Sequence, residues 1–164
     1  YVEDIIRKEE PFSEWQIRNI HQLILKNIDD DNAGRYRQQN VLISGATSTP
    51  LDYTLLNDKM VQFVDWYNSE AHKLHPIERA AKVHADFVGI HPFIDGNGRT
   101  SRLLMNLELI KAGYPPCVIT VENRLAYYEA LDQWMAYGKT EAFIQLVSEA
   151  VLEGFKPYQV VLGI

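Results

Sequence analysis

The sequence predicts an all-α domain, on three observations. Apolar residues recur at the three-and-four spacing of amphipathic helices through most of the chain, and a single stretch alternates like a strand. Pro and Gly fall where helices of that spacing should start and stop. A length of 164 residues with 46% hydrophobic composition suits one domain, residues 1–164, with a sizeable core. The first residue is Tyr rather than Met, which is compatible with excision from a longer chain.

Ser13 suits the N-cap of a first helix whose apolar row is Ile17, Ile20 and Ile24, ending near Asp29. Residues 30–50 are rich in Asp, Asn, Gly, Ser and Thr around Val41-Leu42-Ile43, which predicts a loop with a small strand or hairpin. A helix is expected from about Asp52, with Leu56, Met60, Phe63 and Tyr67 on one side, fading near His72–Leu74. Pro76 suits the first turn of the next, in which Ile77, Ala80, His84 and Phe87 share a stripe leading to His91. Pro92 and Gly96-Asn97-Gly98 interrupt the pattern, and Leu103, Leu104, Leu107 and Ile110 resume it up to Gly113 and Pro115-Pro116. Residues 91–98 are therefore predicted to be a loop between two buried helices. Two last helices are expected near residues 122–137 and 140–153, the second closed by Gly154 and Pro157.

The formal net charge of −6, with both signs interspersed, provides no general attraction to a phosphate backbone, so nucleic acid is not an expected partner. A single cysteine, Cys117, excludes an internal disulfide and fits a reducing compartment, making the cytoplasm the expected location. No apolar run approaches the roughly 18 residues that span a bilayer. The start, Tyr1-Val2-Glu3-Asp4, lacks a basic-then-apolar signal pattern, so neither membrane anchoring nor export is indicated.

The informative segment is His91-Pro92-Phe93-Ile94-Asp95-Gly96-Asn97-Gly98-Arg99-Thr100-Ser101-Arg102. Gly96 and Gly98 permit positive φ and a close backbone approach, and Asn97 is the non-glycine residue best suited to such a turn. The N–H groups opening the following helix, together with its dipole, favour phosphate oxygens. Arg99 and Arg102 lie three apart on one helix face, where planar forks fit neighbouring phosphates, so a polyphosphate fits better than a single phosphate. Asp95 at the mouth of this nest would repel phosphate unless a hard cation such as Mg²⁺ lay between. One carboxylate suffices for that, because Mg²⁺ completes its shell with phosphate and water. His91, with an ordinary pKa of about 6.5, is largely neutral at pH 7 and can accept the proton of an attacking hydroxyl. Phe93 and Ile94 are expected to pack inward and fix the loop. A Gly-Asn-Gly turn alone is more often only a turn; the combination with His91 and both arginines makes it a site. His72 and His75 have no third ligand at a zinc-like spacing and read as structural or solvated. His84 and His21 read as packed core histidines rather than as further bases.

At every defined position the segment matches the signature of the Fic (filamentation induced by cAMP) family, His-x-Phe-x-Asp/Glu-Gly-Asn-Gly-Arg-x-x-Arg. At average residue usage a chance match in this chain is on the order of 10⁻⁸. The resemblance runs from Gly34-Arg35-Tyr36-Arg37 through Leu103-Leu104-Met105-Asn106 to Gly113-Tyr114-Pro115-Pro116, and is to the HYPE-like protein adenylyltransferases. It implies the Fic fold, a compact bundle of about six to eight helices with a small β-hairpin flap near residues 36–46. It further implies transfer of AMP from ATP, with Mg²⁺, to a Tyr, Ser or Thr hydroxyl of a target protein, with pyrophosphate leaving. By this resemblance His91 looks like the base, Asp95 the Mg²⁺ ligand, and Gly96, Asn97, Gly98 and Arg99 the phosphate cradle, with Arg102 contacting the far end of the triphosphate. Val41, Leu42, Ile43, Ser44 and Gly45 resemble the flap, whose exposed edge aligns the target segment by strand addition. Tyr127 and Tyr128 fall where the family lines its adenine pocket with aromatic residues, and Asn106, one turn beyond Arg102, is placed to reach the nucleotide. A family asparagine further along that pocket has no clear match near Trp134–Gly138.

The same site is compatible with removal of AMP from a modified protein, with transfer of UMP or another phosphate-containing group, or with a non-catalytic nucleotide-binding module. Intact His91 and Asp95 favour catalysis, and Gly98 argues against the phosphorylating relatives in which lysine replaces this glycine. Many family members carry an inhibitory Ser/Thr-x-x-x-Glu-Gly/Asn helix. Here no Ser or Thr is followed four residues later by Glu; Glu153-Gly154, with Glu149 before it, is the nearest relic. Restraint is therefore expected from upstream sequence or an inhibitory partner, and a homodimer is compatible with the resemblance.

Overall fold

Ser13 caps the first helix of the computed structural model, which describes residues 11–163. The Ser13 hydroxyl accepts the Gln16 N–H and the Gln16 side chain accepts the Ser13 N–H, so two otherwise unpartnered donors are satisfied reciprocally. The helices among the described residues are α1 (Glu14–Leu25), α2 (Leu56–Ser69), α3 (Pro76–Ile90), α4 (Asn97–Lys111), α5 (Arg124–Tyr137) and α6 (Glu141–Leu162). Short 3₁₀ turns at Tyr53–Leu55 and Ala71–Lys73 bracket α2. No helix among the described residues is long and apolar enough to cross a membrane.

The helices α3 and α4 pack most extensively against each other and contribute to two apolar clusters. Ile17, Ile20, Leu56, Met60, Phe87 and Leu104 join α1 and α2 to one side of the pair. Ala81, Met105, Leu109, Leu131, Phe143 and Val147 join α5 and α6 to the other. Phe93, fully buried, brings the α3–α4 loop into the first cluster. A buried carboxylate crosslinks this centre: Glu108 of α4 accepts from the Tyr67 hydroxyl of α2 at 2.5 Å and from Arg79 Nε of α3 at 2.8 Å.

Three expectations are corrected. The first helix stops at Leu25, short of Asp29, because Lys26 leaves the helical region and Asn27 takes φ +63°. Carboxylates of Asp30 and Asp29 accept the Asn27 and Asn32 N–H groups there, offering the backbone an alternative to another helical turn. The expected hairpin near residues 36–46 is absent: no strand occurs among the described residues. Ile43 to Ala46 form a turn, with the Ala46 N–H bonded to the Ile43 carbonyl and Gly45 supplying φ +80°. Side chains stand in for a ladder, since Asn40 accepts the Tyr53 N–H and donates to Asp52, while Asp132 accepts the Thr47 N–H. Lastly, α6 runs through Gly154 and Pro157 to Leu162. Gly154 is not a stop but a close-packing position, where a Cβ would lie 3.1 Å from the Pro115 ring.

Candidate functional site

The α3–α4 loop is built from both ends. At the first, His91 caps α3 in the left-handed region, φ +52° and ψ +58°, its N–H still bonded to the Phe87 carbonyl. Such a conformation is uncommon for a non-glycine residue, and the surroundings hold it. Arg37, buried, donates from Nε to the His91 carbonyl at 2.9 Å, and its own N–H bonds the Pro92 carbonyl at 2.9 Å. The remaining guanidinium nitrogens donate to the Gln39 and Leu51 carbonyls at 2.8 and 2.7 Å. At the other end, Gly96 takes φ +79° and α4 begins at Asn97. The Asn97 side chain points back into the loop, accepting the Phe93 N–H at 2.9 Å and donating to the Phe93 carbonyl at 2.8 Å.

His91 Nδ1 lies 3.3 Å from the Val88 carbonyl. A carbonyl only accepts, so Nδ1 carries the proton of the neutral ring and Nε2 keeps its lone pair. Burial holds the imidazole pKa below the ordinary histidine value, which keeps that lone pair unprotonated at neutral pH. The ring lines a cavity of about 500 Å³ together with Gly96, Gly98, Arg99 and Arg102. Gly98 has no positive φ; a Cβ there would stand 3.6 Å from the Arg102 guanidinium, so its value is a bare backbone on the cavity wall. Val88, Tyr127, Tyr128, Leu131 and Met135 make the far wall largely apolar, with Asp132 among them accepting the Thr47 N–H, and Ile43, Ser44, Gly45 and Ala46 close one side.

The Asp95 carboxylate stands at the cavity mouth, accepting from the Gly96 N–H at 2.6 Å and from Arg99 Nη2 at 2.9 Å. It thus occupies the two donors expected to face an anion. No three His, Cys, Asp or Glu side chains converge on a metal-sized site among the described residues. A cation held at the mouth by Asp95 would draw on few protein ligands, which fits Mg²⁺ sharing its shell with phosphate oxygens and water and does not fit a structural zinc.

Several anticipated residues sit elsewhere or act differently. Asn106 does not line the cavity: both ends of its amide are bound by the Cys117 backbone, at 2.7 and 3.2 Å, which ties α4 to the following segment. The Asn97 side chain belongs to the loop rather than to the cavity wall. Val41 and Leu42 lie outside the lining, Leu42 being 82% exposed, whereas Ile43 to Gly45 are part of it. Tyr127 is buried and its hydroxyl sits 2.9 Å from His84 Nε2, while the Tyr128 ring is half exposed on the rim. Glu153 pairs with Lys156 on the exposed side of α6 rather than with Arg102. A larger cleft of about 630 Å³ opens beside Trp66 and Trp134, but Lys82 and the Trp134 N–H there are both engaged by Asp86, and it holds none of the loop residues.

Two contributors were not read as functional from sequence spacing. Arg37 lies within the quoted Gly34–Arg37 stretch, where a charged residue among loop residues gives no sign of burial. His21 has the spacing of a packed core histidine, yet its Nε2 lies 2.9 Å from the Asp95 carbonyl and its Nδ1 accepts the Gly34 N–H at 2.9 Å.

Comparison with known proteins places this loop in a wider set. The sequence is 42% identical over 146 residues to a protein named protein adenylyltransferase Fic from Nematostella vectensis, covering 88% of this chain and 33% of the relative. To the protein of the same name from Drosophila willistoni it is 41% identical over 135 residues, covering 81% of this chain and 26% of the relative. The chain therefore spans about a quarter to a third of the curated relatives it matches. A solved structure of Fic-1 from C. elegans superposes with a TM-score of 0.84 at 33% identity, covering 97% of this chain and 47% of that one. The profile of the Fic/DOC family matches residues 11–109, a span that runs from the cap of α1 through the loop to the last turns of α4. With more than half its length inside that match and the loop built as the signature requires, the chain belongs to the Fic/DOC family.

Proposed function

We propose that this chain is the catalytic domain of a protein adenylyltransferase, transferring AMP from ATP to a hydroxyl side chain of a target protein. One observation carries the reading: a neutral imidazole with a defined free nitrogen borders the same cavity as a helix N-terminus and two guanidinium groups. The relatives' name supports the same activity. In this reading the triphosphate lies against Gly96, Gly98, Arg99 and Arg102, and the adenine rests on the apolar wall of Val88, Tyr127, Leu131 and Met135. Asp95 would hold Mg²⁺, which supplies charge neutralisation between the carboxylate and the phosphates.

His91 Nε2 takes the proton of the target hydroxyl as its oxygen bonds to the α-phosphorus, and the bond to the bridging oxygen breaks to release pyrophosphate. General-base assistance of this kind is worth roughly 10²–10⁴ in rate. Charge developing on the leaving group is met by Arg102 and the first amides of α4, joined by Arg99 once Asp95 turns to the Mg²⁺. The Val41–Gly45 segment borders the cavity through Ile43, Ser44 and Gly45 and exposes an apolar tip at Leu42, and we assign it to target docking, where a bound strand would supply the pairing the segment lacks alone.

The test is incubation with a cell lysate and ATP labelled at the α- or γ-phosphate. Label arrives on protein from the α-position only, and His91→Ala abolishes it while nucleotide binding persists. Equal labelling from the γ-position identifies phosphoryl transfer instead.

A further inference from the structure

We propose that His21, on α1, is a positioning residue for the phosphate-binding loop: it holds the Asp95 carbonyl away from the cavity and so aims the Gly96 N–H at the bound anion. This inference rests on the nucleotide-binding reading above and assigns a role to a residue outside the loop itself.

The tautomer follows from the partners. The Gly34 N–H only donates, so Nδ1 is the acceptor, and the proton sits on Nε2, which donates to the Asp95 carbonyl. Because the peptide is planar and trans, a carbonyl drawn toward α1 sends the N–H of the same peptide, that of Gly96, the opposite way. That N–H is where the Asp95 carboxylate now sits, 2.6 Å away, marking the position an anionic oxygen takes. The ring plane is set as well, since the imidazole stacks on Phe93 with centroids 3.5 Å apart and planes 3° from parallel.

Packing alone does not explain an imidazole here. The side chain is fully buried, and a phenyl ring would stack on Phe93 without the desolvation cost of two polar nitrogens. Both nitrogens are spent on backbone that governs the loop. Asp95 lies at its cavity end, and Gly34 opens the segment whose Arg37 secures the His91 and Pro92 carbonyls at the other. Position 96 is matched to the ring too: a Cβ there would fall 3.0 Å from His21 Nε2, so glycine is required by the neighbour as well as by its φ of +79°.

The experiment separates the two ring nitrogens. In His21→Gln the amide nitrogen reaches where Nε2 was and restores the donor to Asp95; in His21→Asn the amide oxygen mimics Nδ1 and keeps only the bond to Gly34; His21→Phe keeps only the stack. Dissociation constants for inorganic pyrophosphate in the presence of Mg²⁺ are measured by calorimetry on each folded variant, together with its thermal midpoint. Expected is at least a tenfold weakening for His21→Asn and His21→Phe and less than threefold for His21→Gln, with no correlation to midpoint. Equal affinity in His21→Asn and His21→Gln overturns the proposal and leaves His21 a packing residue. If His21→Phe does not fold, the two amide variants decide. Failure of the unsubstituted protein to bind pyrophosphate at all would instead strike the nucleotide-binding reading.

Discussion

Replacing Arg37 with methionine keeps the aliphatic stem and removes the guanidinium that joins three backbone carbonyls. The bonds lost are to His91 at 2.9 Å, Gln39 at 2.8 Å and Leu51 at 2.7 Å, all from a buried side chain. Hydrogen bonds to a charged group contribute about 1.5–3 kcal/mol each, so the low end gives roughly 4–5 kcal/mol for the three. Domains of this kind have about 5–15 kcal/mol in total, so the loss takes a large share of the stability. At a urea slope of about 2 kcal/mol/M, the unfolding midpoint should fall by roughly 2 M. The effect should also reach the chemistry, because the His91 carbonyl loses the donor that keeps its residue in the left-handed region. Label transfer from α-labelled ATP, normalised to the folded fraction, is expected to drop at least tenfold. Arg37→Lys, with one compact ammonium in place of a fork, should fall between the two. A midpoint shift for Arg37→Met below about 0.5 M would refute the reasoning, since a guanidinium holding three carbonyls cannot be removed so cheaply.

Four further outcomes are expected. Since burial lowers the His91 pKa, the proton-accepting form persists below the ordinary histidine range, and the acid limb of label transfer should lie below pH 6.5; a limb above that value contradicts His91 as the base. Burial also drives the His84 pKa down to about 3, so its contribution to stability is whole above pH 6.5 and is lost as pH falls through the window between the unfolded and folded values. Urea unfolding should register about 2 kcal/mol of that loss between pH 6.5 and 5, with a shallower slope in His84→Gln. Glu108→Gln strands Arg79 and should cost about 3 kcal/mol, whereas Arg79→Met and Glu108→Met combined with Tyr67→Phe, removing both charges and the hydroxyl they hold, should recover most of it; equal losses in both variants would rule out the ion pair as the cause. Gly96→Ala combines a left-handed strain of about 1–2 kcal/mol with the contact against His21, and should weaken pyrophosphate binding beyond what its change in thermal midpoint accounts for.

What the sequence made legible was contiguous. The loop from His91 to Arg102 sits in one run between two helical patterns, so its chemistry could be read without knowing the fold, and the helix starts at Ser13 and Pro76 carried their own capping signals. What escaped was supplied from a distance. His21 and the Asp95 carbonyl are 74 positions apart, and no spacing rule links a core-facing helical histidine to a loop beyond two further helices. Asn106 misled for the converse reason: helical phase put it near Arg102, but the backbone of Cys117 returns to claim its amide, which only the tertiary path reveals. The apolar run at Val41–Ile43 resembled a strand because composition reports β tendency, while pairing needs a second segment in register, and side-chain bonds from Asn40 and Asp132 fill that place.

The position of α3 and α4, shared by both apolar clusters, has a consequence for how the loop between them comes apart. Its buried ring, Phe93, and the amide clasp of Asn97 cannot be released without disturbing the layer beneath, so the loop has no cheap opening of its own. Deuterium should enter the Phe93 amide on the timescale of whole-domain denaturation, while the Ala46 amide, held by one turn, exchanges orders of magnitude sooner. The loop is accordingly a rigid floor, and in the proposed reaction whatever adaptation a target protein requires falls to the segment above it.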